Sequence, residues 1–406
     1  MAAKLPVMTN KTVLISGAGI AGPALAFWLA RQGYAVTVVE RSAGLRTGGQ
    51  AVDFKGATHR TVLERMGILD EIRRHQTGGH DQTIIDAEER PRAVLPGEFT
   101  GGDVEIRRGD LTAILCERAA QDCEYVFGDS ITSLTETADG VDVTFERGAP
   151  RRFDLVFGAD GIHSTVRRLA FGPEADYVRH LGHYYALVET GEHDDFRGAG
   201  GLSLMYNEPG RMAATGGPKA PAFFVFASPE LTYDRYDMEQ QKEILTAAFE
   251  GGGWRLPELM EAVKRSDDVY LDSLSRVEMD GYHTGRVALL GDAAYGNTLG
   301  GFGTGLAIVA AYVIAGELAA ANGDHEVAFR RYEEKFRGYA KIARGANAGP
   351  FLAPPTKLRI ALRNQMFRRR LMLRGMLWMT DKLATDIVLD DYPALTRLPG
   401  ARSGRP

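Results

Sequence analysis

The sequence predicts an α/β fold in which a Rossmann-like nucleotide-binding domain is interrupted by a mainly antiparallel β domain and followed by a C-terminal helix. A short apolar strand, a glycine-rich turn and a helix follow one another in "VLISGAGIAGPALAFWL" near the N terminus. A second strand and glycine-rich turn, "RVALLGDAAYGN", begins at residue 286. Between the two, aromatic-rich segments such as "HYYALVE" and "AFFVFASP" indicate antiparallel strands. We therefore expect the nucleotide-binding domain at residues 1–177 and 275–345, the inserted β domain at 178–274 and the C-terminal helical segment, bridging the two, at 346–406.

The composition is that of a soluble globular protein of about two domains. The chain has 406 residues, of which 44% are hydrophobic and 25% charged. Its net charge of −5 disfavours a general attraction for nucleic acid. Only two cysteines are present, Cys116 and Cys123, without neighbours at metal-ligand spacing. These features predict a cytoplasmic protein with reduced thiols, no metal and no nucleic-acid partner.

No membrane-spanning segment is predicted. The apolar run from Thr304 to Asn322 carries Glu317 and is rich in alanine and glycine, which favours a buried helix. The N terminus, "MAAKLPVMTNK", has no apolar core of a signal peptide. The basic tail after residue 355 fits either a surface helix for a membrane or anionic partner, or a helix packed across both domains with solvated arginines. The second interpretation is favoured.

The first glycine-rich turn has the spacing of a dinucleotide-binding motif. Gly17 permits a tight turn, Gly19 lets a pyrophosphate approach the backbone, and Gly22 lets the helix pack close to the strand. The helix N terminus adds unpaired N–H groups and the positive end of its dipole. Glu40 ends the next strand, where a carboxylate holds ribose hydroxyls and repels a 2′-phosphate. The motif therefore predicts NAD or the adenosine half of FAD at this turn, and disfavours NADP there.

Three motifs further along the chain mark predicted turns and helix starts. In "FGADGIHSTVRR", Asp160 and Gly161 form a predicted turn, and Ser164 is a candidate N-cap of the next helix. In "RVALLGDAA", Asp292 ends a buried strand, where a carboxylate is costly unless a group donates hydrogen bonds to it. "RRGDLTAILCERAAQ" predicts a helix with Asp110 as its N-cap.

Taken in order, these motifs resemble those of the FAD-dependent class A monooxygenases of the para-hydroxybenzoate hydroxylase fold. The resemblance is carried by "GAGIAG" with Glu40, "RRGDL" with Arg108, "GADG" and "GDAA", and it spans roughly residues 11–345. The segments "RTGGQAVDFKGA" and "GTGLAIVAAYVIAGELA" are most similar to antibiotic-tailoring and tetracycline-inactivating monooxygenases. The resemblance implies that the nucleotide-binding domain is an FAD domain of the glutathione-reductase type.

By position, the resemblance assigns parts of FAD to residues of this chain. It places the pyrophosphate at the first turn, the adenosine ribose at Glu40 with Arg41 beside it, and Arg108 near the pyrophosphate or ribityl chain. Asp292 would bond the ribityl chain, and Asp160 would support FAD and NADPH. The helix after residue 300 would face the isoalloxazine, where its dipole stabilises negative charge on the reduced flavin. The implied FAD-binding residues are Gly17, Gly19, Ile20, Ala21, Gly22, Glu40, Arg41, Arg108, Asp160, Asp292, Gly301, Gly303 and Thr304.

One segment departs from the family pattern. Many relatives read "GDAAH" with a following proline, whereas this chain has Tyr295 and "GNTL". That loop usually contributes to the substrate side of the flavin. We therefore expect the segment from Tyr295 to Leu299 to influence substrate preference.

The resemblance also implies the reaction. NADPH or NADH reduces FAD, O2 adds to give a C4a-hydroperoxyflavin, and one oxygen atom passes to an electron-rich aromatic, phenolic or polyketide-type small molecule. No catalytic side chain is assigned, because His163, His183 and His283 are equally compatible with structural roles. The pocket would lie between the flavin and the inserted sheet. Its candidate lining residues are Tyr184, Tyr206, Met212, Phe224 and Phe226.

Two alternatives share this fold. A flavin-dependent reductase or dehydrogenase would consume NADPH or a substrate hydride without inserting oxygen. A degenerate flavoprotein would only sequester an aromatic ligand. The intact glycines and carboxylates argue against the degenerate flavoprotein, and the sequence has no "WxWxIP" segment of a flavin halogenase.

Overall fold

The computed structural model describes residues 11–45, 51–78, 81–97, 102–190, 196–198, 201–217, 222–301, 303–369, 375 and 388–396. The predictions about residues 1–10, and about most of the basic tail after residue 369, lie outside these ranges. Within them the chain has the predicted α/β architecture.

Strands and helices are numbered along the described chain. The strands are β1 (Thr12–Ser16), β2 (Ala35–Glu40), β3 (Ala51–Phe54), β4 (Gln82–Ile85), β5 (Pro91–Leu95), β6 (Val104–Arg107), β7 (Cys123–Phe127), β8 (Ile131–Thr137), β9 (Gly140–Phe145), β10 (Arg151–Phe153), β11 (Leu155–Gly158), β12 (Val178–Val188), β13 (Ser203–Glu208), β14 (Arg211–Thr215), β15 (Ala222–Ala227), β16 (Val269–Val277), β17 (His283–Thr284) and β18 (Val287–Leu289). The helices are α1 (Ala21–Arg31), α2 (Ala57–Met66), α3 (Leu69–Arg74), α4 (Arg108–Ala120), α5 (Thr165–Ala170), α6 (Met238–Ala248), α7 (Leu256–Arg265), α8 (Asp292–Tyr295), α9 (Gly303–Ala320), α10 (His325–Arg344), α11 (Gly349–Leu352), α12 (Lys357–Arg368) and α13 (Pro393–Thr396).

The first sheet brings the three glycine-containing turns to one edge. Its strand order is β17-β18-β11-β1-β2-β7. β1, β11 and β18 are neighbours and run parallel, with Val13 opposite Leu155 and Val156 opposite Val287. Because parallel strands present their carboxyl ends at the same edge, the turns that follow these three strands lie side by side. The three strands are nearly fully buried, as expected for a parallel sheet.

Helix α9 is the apolar run predicted to be a buried helix. By length and composition alone it is the one helix of the described chain that is apolar enough to cross a membrane. Its residues from Gly305 to Leu318 are nevertheless all buried inside the protein. It packs against α1, α2 and α10, which makes it a core helix of the nucleotide-binding domain.

Of the two predicted helix N-caps, one is confirmed and one is wrong. Ser164 caps α5 as expected, because its side chain accepts a hydrogen bond from the Arg167 amide. The prediction for Asp110 was wrong. Helix α4 already begins at Arg108, so Asp110 lies in its first turn, and the capping residue, Arg107, makes no side-chain capping bond. A carboxylate in the first turn still complements the helix dipole.

The second sheet has seven strands in the order β16-β12-β15-β14-β13-β4-β5. Five come from the predicted inserted domain and are mutually antiparallel. The other two, β4 and β5, come from residues before 100, and β4 pairs in parallel with β13. The sheet therefore draws on more of the chain than residues 178–274. The sequence of a short strand does not indicate which distant strand it pairs with. The pairing of β4 with β13 was therefore not predicted.

The two faces of this second sheet pack against different elements. On the first face, Tyr184, Phe224 and Phe226 pack with side chains of α6 and α7 and with Phe249, and Tyr206 belongs to the same cluster. The residues adjacent to these in each strand point to the opposite face. Met212 lies there, in a cluster that also includes residues of α11 and α12 and is contacted by Leu299.

The described C-terminal residues contact both parts of the molecule. Helix α12 packs on β5 and β13, and α13 packs on α9. Arg363, one of the arginines predicted to be solvated, is buried. Its guanidinium donates to the Phe351 and Leu352 carbonyls and to Asn207, and burial lowers its pKa to about 10. This arginine therefore fixes α12 on the second sheet.

Replacing Phe224 tests whether the face carrying Tyr184 and Phe226 is core or pocket. The Phe224 ring is fully buried, with its centroid 5.2 Å from that of Phe249. We expect Phe224→Ala to lower the free energy of unfolding by about 3–5 kcal/mol, because it leaves a cavity beneath α6 and α7. Guanidinium unfolding measures the loss, and Leu202→Ala at a half-exposed position is the control. Unchanged stability combined with altered aromatic ligand binding would contradict the core assignment.

Candidate functional site

The first glycine turn and the "GADG" turn are in direct contact. Gly17 has φ of +105°, and a Cβ atom there would lie 2.5 Å from the Ala159 carbonyl oxygen. A Cβ at Gly22 would lie 1.9 Å from the Gly17 carbonyl oxygen. Both distances are far shorter than any real contact, so no other residue fits at these positions without moving the backbone. The closeness of the turns brings Asp160 next to the start of α1.

Glu40 holds the shape of the first turn. One carboxylate oxygen accepts a hydrogen bond from the Ala18 amide at 2.8 Å, and the other accepts from the Ser42 amide at 2.8 Å. Each oxygen keeps a further lone pair for another donor. The carboxylate predicted to bind ribose therefore also connects the turn after β1 to the end of β2.

Arg41 meets a residue that the sequence did not single out. Its guanidinium lies 4.2 Å from the ring centroid of Tyr236 and donates to the Tyr236 hydroxyl at 2.8 Å. Tyr236 precedes α6, so the contact joins the edge of the first sheet to the second domain. An exposed tyrosine in a loop carries no pattern that would have predicted this partner.

Asp160 is engaged locally. Its oxygens accept from the Ser164 hydroxyl, from the Thr165 amide at 2.8 Å and from the Val166 amide at 3.1 Å. Burial raises the pKa of this carboxyl, and the hydrogen bonds only partly offset that rise. In this arrangement Asp160 orders the "GADG" turn and the start of α5.

Asp292 begins α8 at the end of β18. A Cβ at Gly291 would lie 3.0 Å from the Ala21 side chain, so this turn packs against the first turn of α1. A Cβ at Gly303 would lie 3.4 Å from a carboxylate oxygen of Asp292, which places the start of α9 beside it. Burial raises the pKa of Asp292, and the positive charge of Arg108 only partly counters that effect.

Arg108 lies between these turns. A Cβ at Gly19 would lie 3.8 Å from its guanidinium, and its charge acts on Asp292 as well as on Tyr185 and Tyr270 of the second sheet. A side-chain-free turn facing a guanidinium suits a pyrophosphate. The exposed carboxylate of Asp292, further along, suits hydroxyl donors of a ribityl chain. The residues present therefore fit an extended dinucleotide such as FAD.

The loop after α8 is fixed against the second sheet. The Gly296 carbonyl accepts from the Val277 amide at 2.8 Å, and the Thr298 amide donates to the Ser275 carbonyl at 2.9 Å. Leu299 has φ of +56°, a conformation that favours glycine, and its side chain packs on the same face as Met212. A strained, partly buried leucine between two turns is consistent with a constrained functional loop.

Tyr295 has a different role from the one expected. Its hydroxyl accepts from the Gly291 amide at 3.0 Å, and its ring stacks on Phe336, with centroids 5.3 Å apart. The side chain is buried in the core of the nucleotide-binding domain. Tyr295 therefore supports the turn before Asp292 from behind, and within this segment Leu299 is the side chain that packs on the second sheet.

The aromatic residues predicted to line a pocket are divided between the two faces. Tyr184, Tyr206, Phe224 and Phe226 lie on the face covered by α6 and α7, away from Leu299. Met212 alone of the five lies on the face that Leu299 contacts. Its neighbours there, which the sequence analysis missed, are Tyr185, Met205, Ala214, Val225 and Leu274. The sequence did contain a signal for these residues. Side chains along a strand alternate between its two faces, so the positions next to the predicted ones define the other face.

Sequence and structure comparisons agree with this geometry. A family model described as an FAD binding domain matches residues 10–339. A flavin-dependent monooxygenase of Legionella longbeachae is 36% identical over 340 residues, covering 81% of this chain and 86% of that protein. The chain belongs to the FAD-dependent monooxygenases. The predicted resemblance, and with it the fold class, is confirmed.

Another relative and two solved structures are also similar to this chain. An uncharacterized protein of Mycobacterium tuberculosis is 39% identical over 349 residues, covering 82% of this chain and 91% of that protein. The crystal structure of tetracycline destructase Tet(55) superposes with a TM-score of 0.79 at 31% identity, covering 96% of this chain and all of that one. Klebsiella pneumoniae HpxO, solved with FAD and uric acid, has a TM-score of 0.69 at 21% identity and shows the shared fold.

The monooxygenase has a chain of polar side chains that joins the "GADG" turn to the second sheet. His163 lies between Glu174, 2.9 Å from its Nδ1, and Asp272, 3.2 Å from its Nε2. The other oxygen of Asp272 accepts from the Tyr270 hydroxyl at 2.9 Å. The Tyr270 ring lies 5.8 Å from that of Tyr185, and their hydroxyls interact. No sequence motif predicted this series of hydrogen-bonded side chains, because its members come from four separate segments.

One cavity among the described residues lies away from these motifs. It has a volume of about 310 Å³ and lies beside α2 and α3, where Arg60, Arg73 and Asp103 are among its lining residues. None of the predicted cofactor or substrate residues borders it. We assign the candidate site from the meeting of the motifs and not from this cavity.

Replacing Asp292 by asparagine tests the electrostatic cost of this carboxylate, which neighbouring groups desolvate although the side chain is exposed. Because burial raises its pKa, ionised Asp292 destabilises the folded apoprotein at pH above the ordinary carboxyl value of about 4. We expect Asp292→Asn to raise the Tm of the apoprotein at pH 7, and the difference to shrink as the pH falls to 4. Asp122→Asn on the surface is the control. The opposite result would be a Tm of the variant below that of the wild type at pH 7, with a smaller difference at pH 4. It would show that Arg108 over-compensates the charge of Asp292.

Proposed function

We propose that this monooxygenase uses NADPH or NADH to reduce its FAD and transfers one oxygen atom from O2 to a flat aromatic, phenolic or polyketide-type molecule. The observation that carries the proposal is the meeting of four FAD motifs opposite an apolar sheet face, with Leu299 between them. Bound FAD supplies the electron transfer and the activation of O2. The protein supplies orientation, exclusion of water and proton management.

The cofactor roles follow from the geometry around each residue. The turn at Gly17 and Gly19, with the N-terminal residues Ile20 and Ala21 of α1, would take the pyrophosphate together with Arg108. Glu40 and Arg41 would take the adenosine. Asp292 would accept from the ribityl hydroxyls, and the start of α9 at Gly301, Gly303 and Thr304 would lie near the isoalloxazine. Because Asp160 already accepts hydrogen bonds from Ser16, Ser164 and the start of α5, its part would be to hold the turn that both nucleotides approach.

Substrate would lie between the isoalloxazine and the part of this sheet face next to Leu299 and Tyr185, with the buried side chains of Met205 and Met212 behind it. Thioether side chains adapt to irregular apolar ligands, and Tyr185 adds a polar group at the edge of that face. The similarity to tetracycline destructases supports a polycyclic aromatic or polyketide-type substrate. Tyr184, Tyr206, Phe224 and Phe226 would support this face from the far side of the sheet. The free cysteines are consistent with a cytoplasmic location.

A turnover assay tests the reaction. The purified protein should be yellow, retain FAD, and oxidise NADPH or NADH faster when a phenolic or tetracycline-type ligand is present. Oxygen uptake and mass spectrometry then decide the outcome. A product that gains one oxygen atom supports the proposal. Ligand-stimulated NADPH oxidation with no oxygen in any product would favour a flavin-dependent reductase, and wild-type protein that is never stimulated by a ligand would contradict the substrate class.

Glu40→Gln tests the cofactor turn. The change weakens two hydrogen bonds that organise the turn and removes the charge expected to face the ribose. We expect FAD to bind about 10- to 100-fold more weakly, as is typical when a charged hydrogen bond is lost. Fluorescence titration of the apoprotein with FAD measures the change. Glu124→Gln on the neighbouring strand, which bonds Thr37 and Arg151 instead, is the matched control. Equal FAD affinity in both variants would argue against the assignment.

A further inference from the structure

We propose that His163, Asp272 and Tyr270 form a proton path between solvent at Glu174 and the cavity face on which Tyr185 lies. None of these residues is assigned a role in cofactor binding above, although His163 lies just after the "GADG" turn. Their hydrogen bonds nevertheless run without a gap from an exposed carboxylate to two tyrosine hydroxyls on the flavin-facing side. The inference rests on the proposed site of oxygen chemistry, but its test needs only bound FAD and O2.

The path runs between two accessible ends. The side chain of Glu174 is 33% exposed, that of His163 is 23% exposed and that of Asp272 is 11% exposed, whereas Tyr270 is 36% exposed and Tyr185 is buried. His163 and Asp272 are therefore shielded between Glu174 on one side and Tyr270 on the other. At the inner end, the charge of Arg108 acts on both Tyr185 and Tyr270, and the same charge acts on Asp292. The inner end therefore lies close to the groups assigned to FAD.

The pKa directions make His163 the residue of the path that stores a proton. Burial raises the pKa of Asp272, but its hydrogen bonds to His163 and Tyr270 outweigh burial and lower it, so this carboxylate relays a proton without keeping it. Burial lowers the pKa of His163, but its bonds to Asp272 and Glu174 outweigh that effect, so the pKa is raised. Arg235 opposes the rise, and Arg167 lies 3.7 Å from Glu174. Burial and the neighbouring Asp272 raise the pKa of Tyr270, so its hydroxyl stays protonated. His163 can therefore hold a proton near neutral pH, and Tyr270 can pass one on without ionising.

Oxygen chemistry at a flavin requires such a supply. When reduced anionic FAD reacts with O2 and no substrate is present, the balanced reaction is reduced FAD anion plus O2 plus one proton, giving oxidised FAD and H2O2. Two electrons and the ring proton leave the flavin, and the second proton comes from outside. Along the path, His163 would give its proton to Asp272, Asp272 to Tyr270, and Tyr270 to the cavity, while Glu174 and solvent reprotonate His163.

The experiment follows reoxidation of the reduced holoenzyme by O2. Wild type, Asp272→Asn, Tyr270→Phe and His163→Ala are reduced anaerobically and mixed with oxygenated buffer that contains a pH indicator. Flavin absorbance and proton uptake are recorded together from pH 6 to 9, a range set around the ordinary histidine pKa of about 6.5. Tyr233→Phe is the matched control, because that buried hydroxyl donates to the Leu271 carbonyl beside the path without joining it. FAD content and Tm confirm that each variant is folded.

We expect reoxidation and proton uptake to slow about 10- to 100-fold in Asp272→Asn and Tyr270→Phe, the size of a lost acid–base step. Added imidazole should restore His163→Ala, which a purely structural role would not allow. The decline of the rate with pH should shift to lower pH in Asp272→Asn, because His163 loses a carboxylate that raises its pKa. Tyr233→Phe should match the wild type.

A second measurement does not depend on turnover. In oxidised holoenzyme labelled with 13C-histidine, the resonance missing from His163→Ala identifies His163, and its titration should move to lower pH in Asp272→Asn. Variants that keep FAD and normal Tm but reoxidise at the wild-type rate and pH dependence would overturn the path. So would a His163 titration unaffected by Asp272→Asn. A wild type that oxidises no substrate would instead count against the proposed substrate class and leave the path standing.

Discussion

The structure depends on one steric constraint, the contact of three turns at the carboxyl edge of the first sheet. Gly17 touches the backbone of the "GADG" turn, Gly22 touches Gly17, and Gly291 touches the side chain of Ala21. A side chain at Gly17 would force the first two turns apart, and one at Gly22 would push the start of α1 away from Gly17. Because β1, β11 and β18 are adjacent and parallel, glycine at these points is what allows three distant segments to form a single surface.

That surface brings four charged side chains together. Arg108 and Asp292 are exposed there, and Glu40 and Asp160 are half-buried. Arg108 is the cation that faces Asp292, yet burial still raises the pKa of the carboxyl. Glu40 is satisfied by backbone amides and Asp160 by the start of α5. Ionisable groups with an electrostatic cost in the free protein are typical of binding sites. The cost is removed when a ligand supplies hydrogen-bond donors. Burial raises the pKa of both Asp292 and Asp160, but Asp160 already accepts hydrogen bonds from Ser164 and from the amides that begin α5.

The second sheet shows how one-residue shifts decide function. Tyr184 and Tyr185 are neighbours in β12, but the first packs under α6 and α7 and the second lies on the face near Leu299. Sequence alone recognised an aromatic strand and proposed Tyr184, because alternation defines two faces without saying which one helices will cover. The polar chain through Tyr270 and Asp272 belongs to the face near Leu299, so the same shift also determines which groups can reach the flavin side.

The sequence by itself determined the FAD fold, the glycine turns and the acidic and basic residues around them, because tight turns and buried strands impose local residue types. It also identified α9 as a core helix and Ser164 as a cap. Only the tertiary structure decided the partners: β4 and β5 in the second sheet, Tyr236 on Arg41, Arg363 buried beneath α12, and His163 between Glu174 and Asp272. Such contacts join residues far apart in the chain, where neither periodicity nor spacing carries information about which surfaces meet.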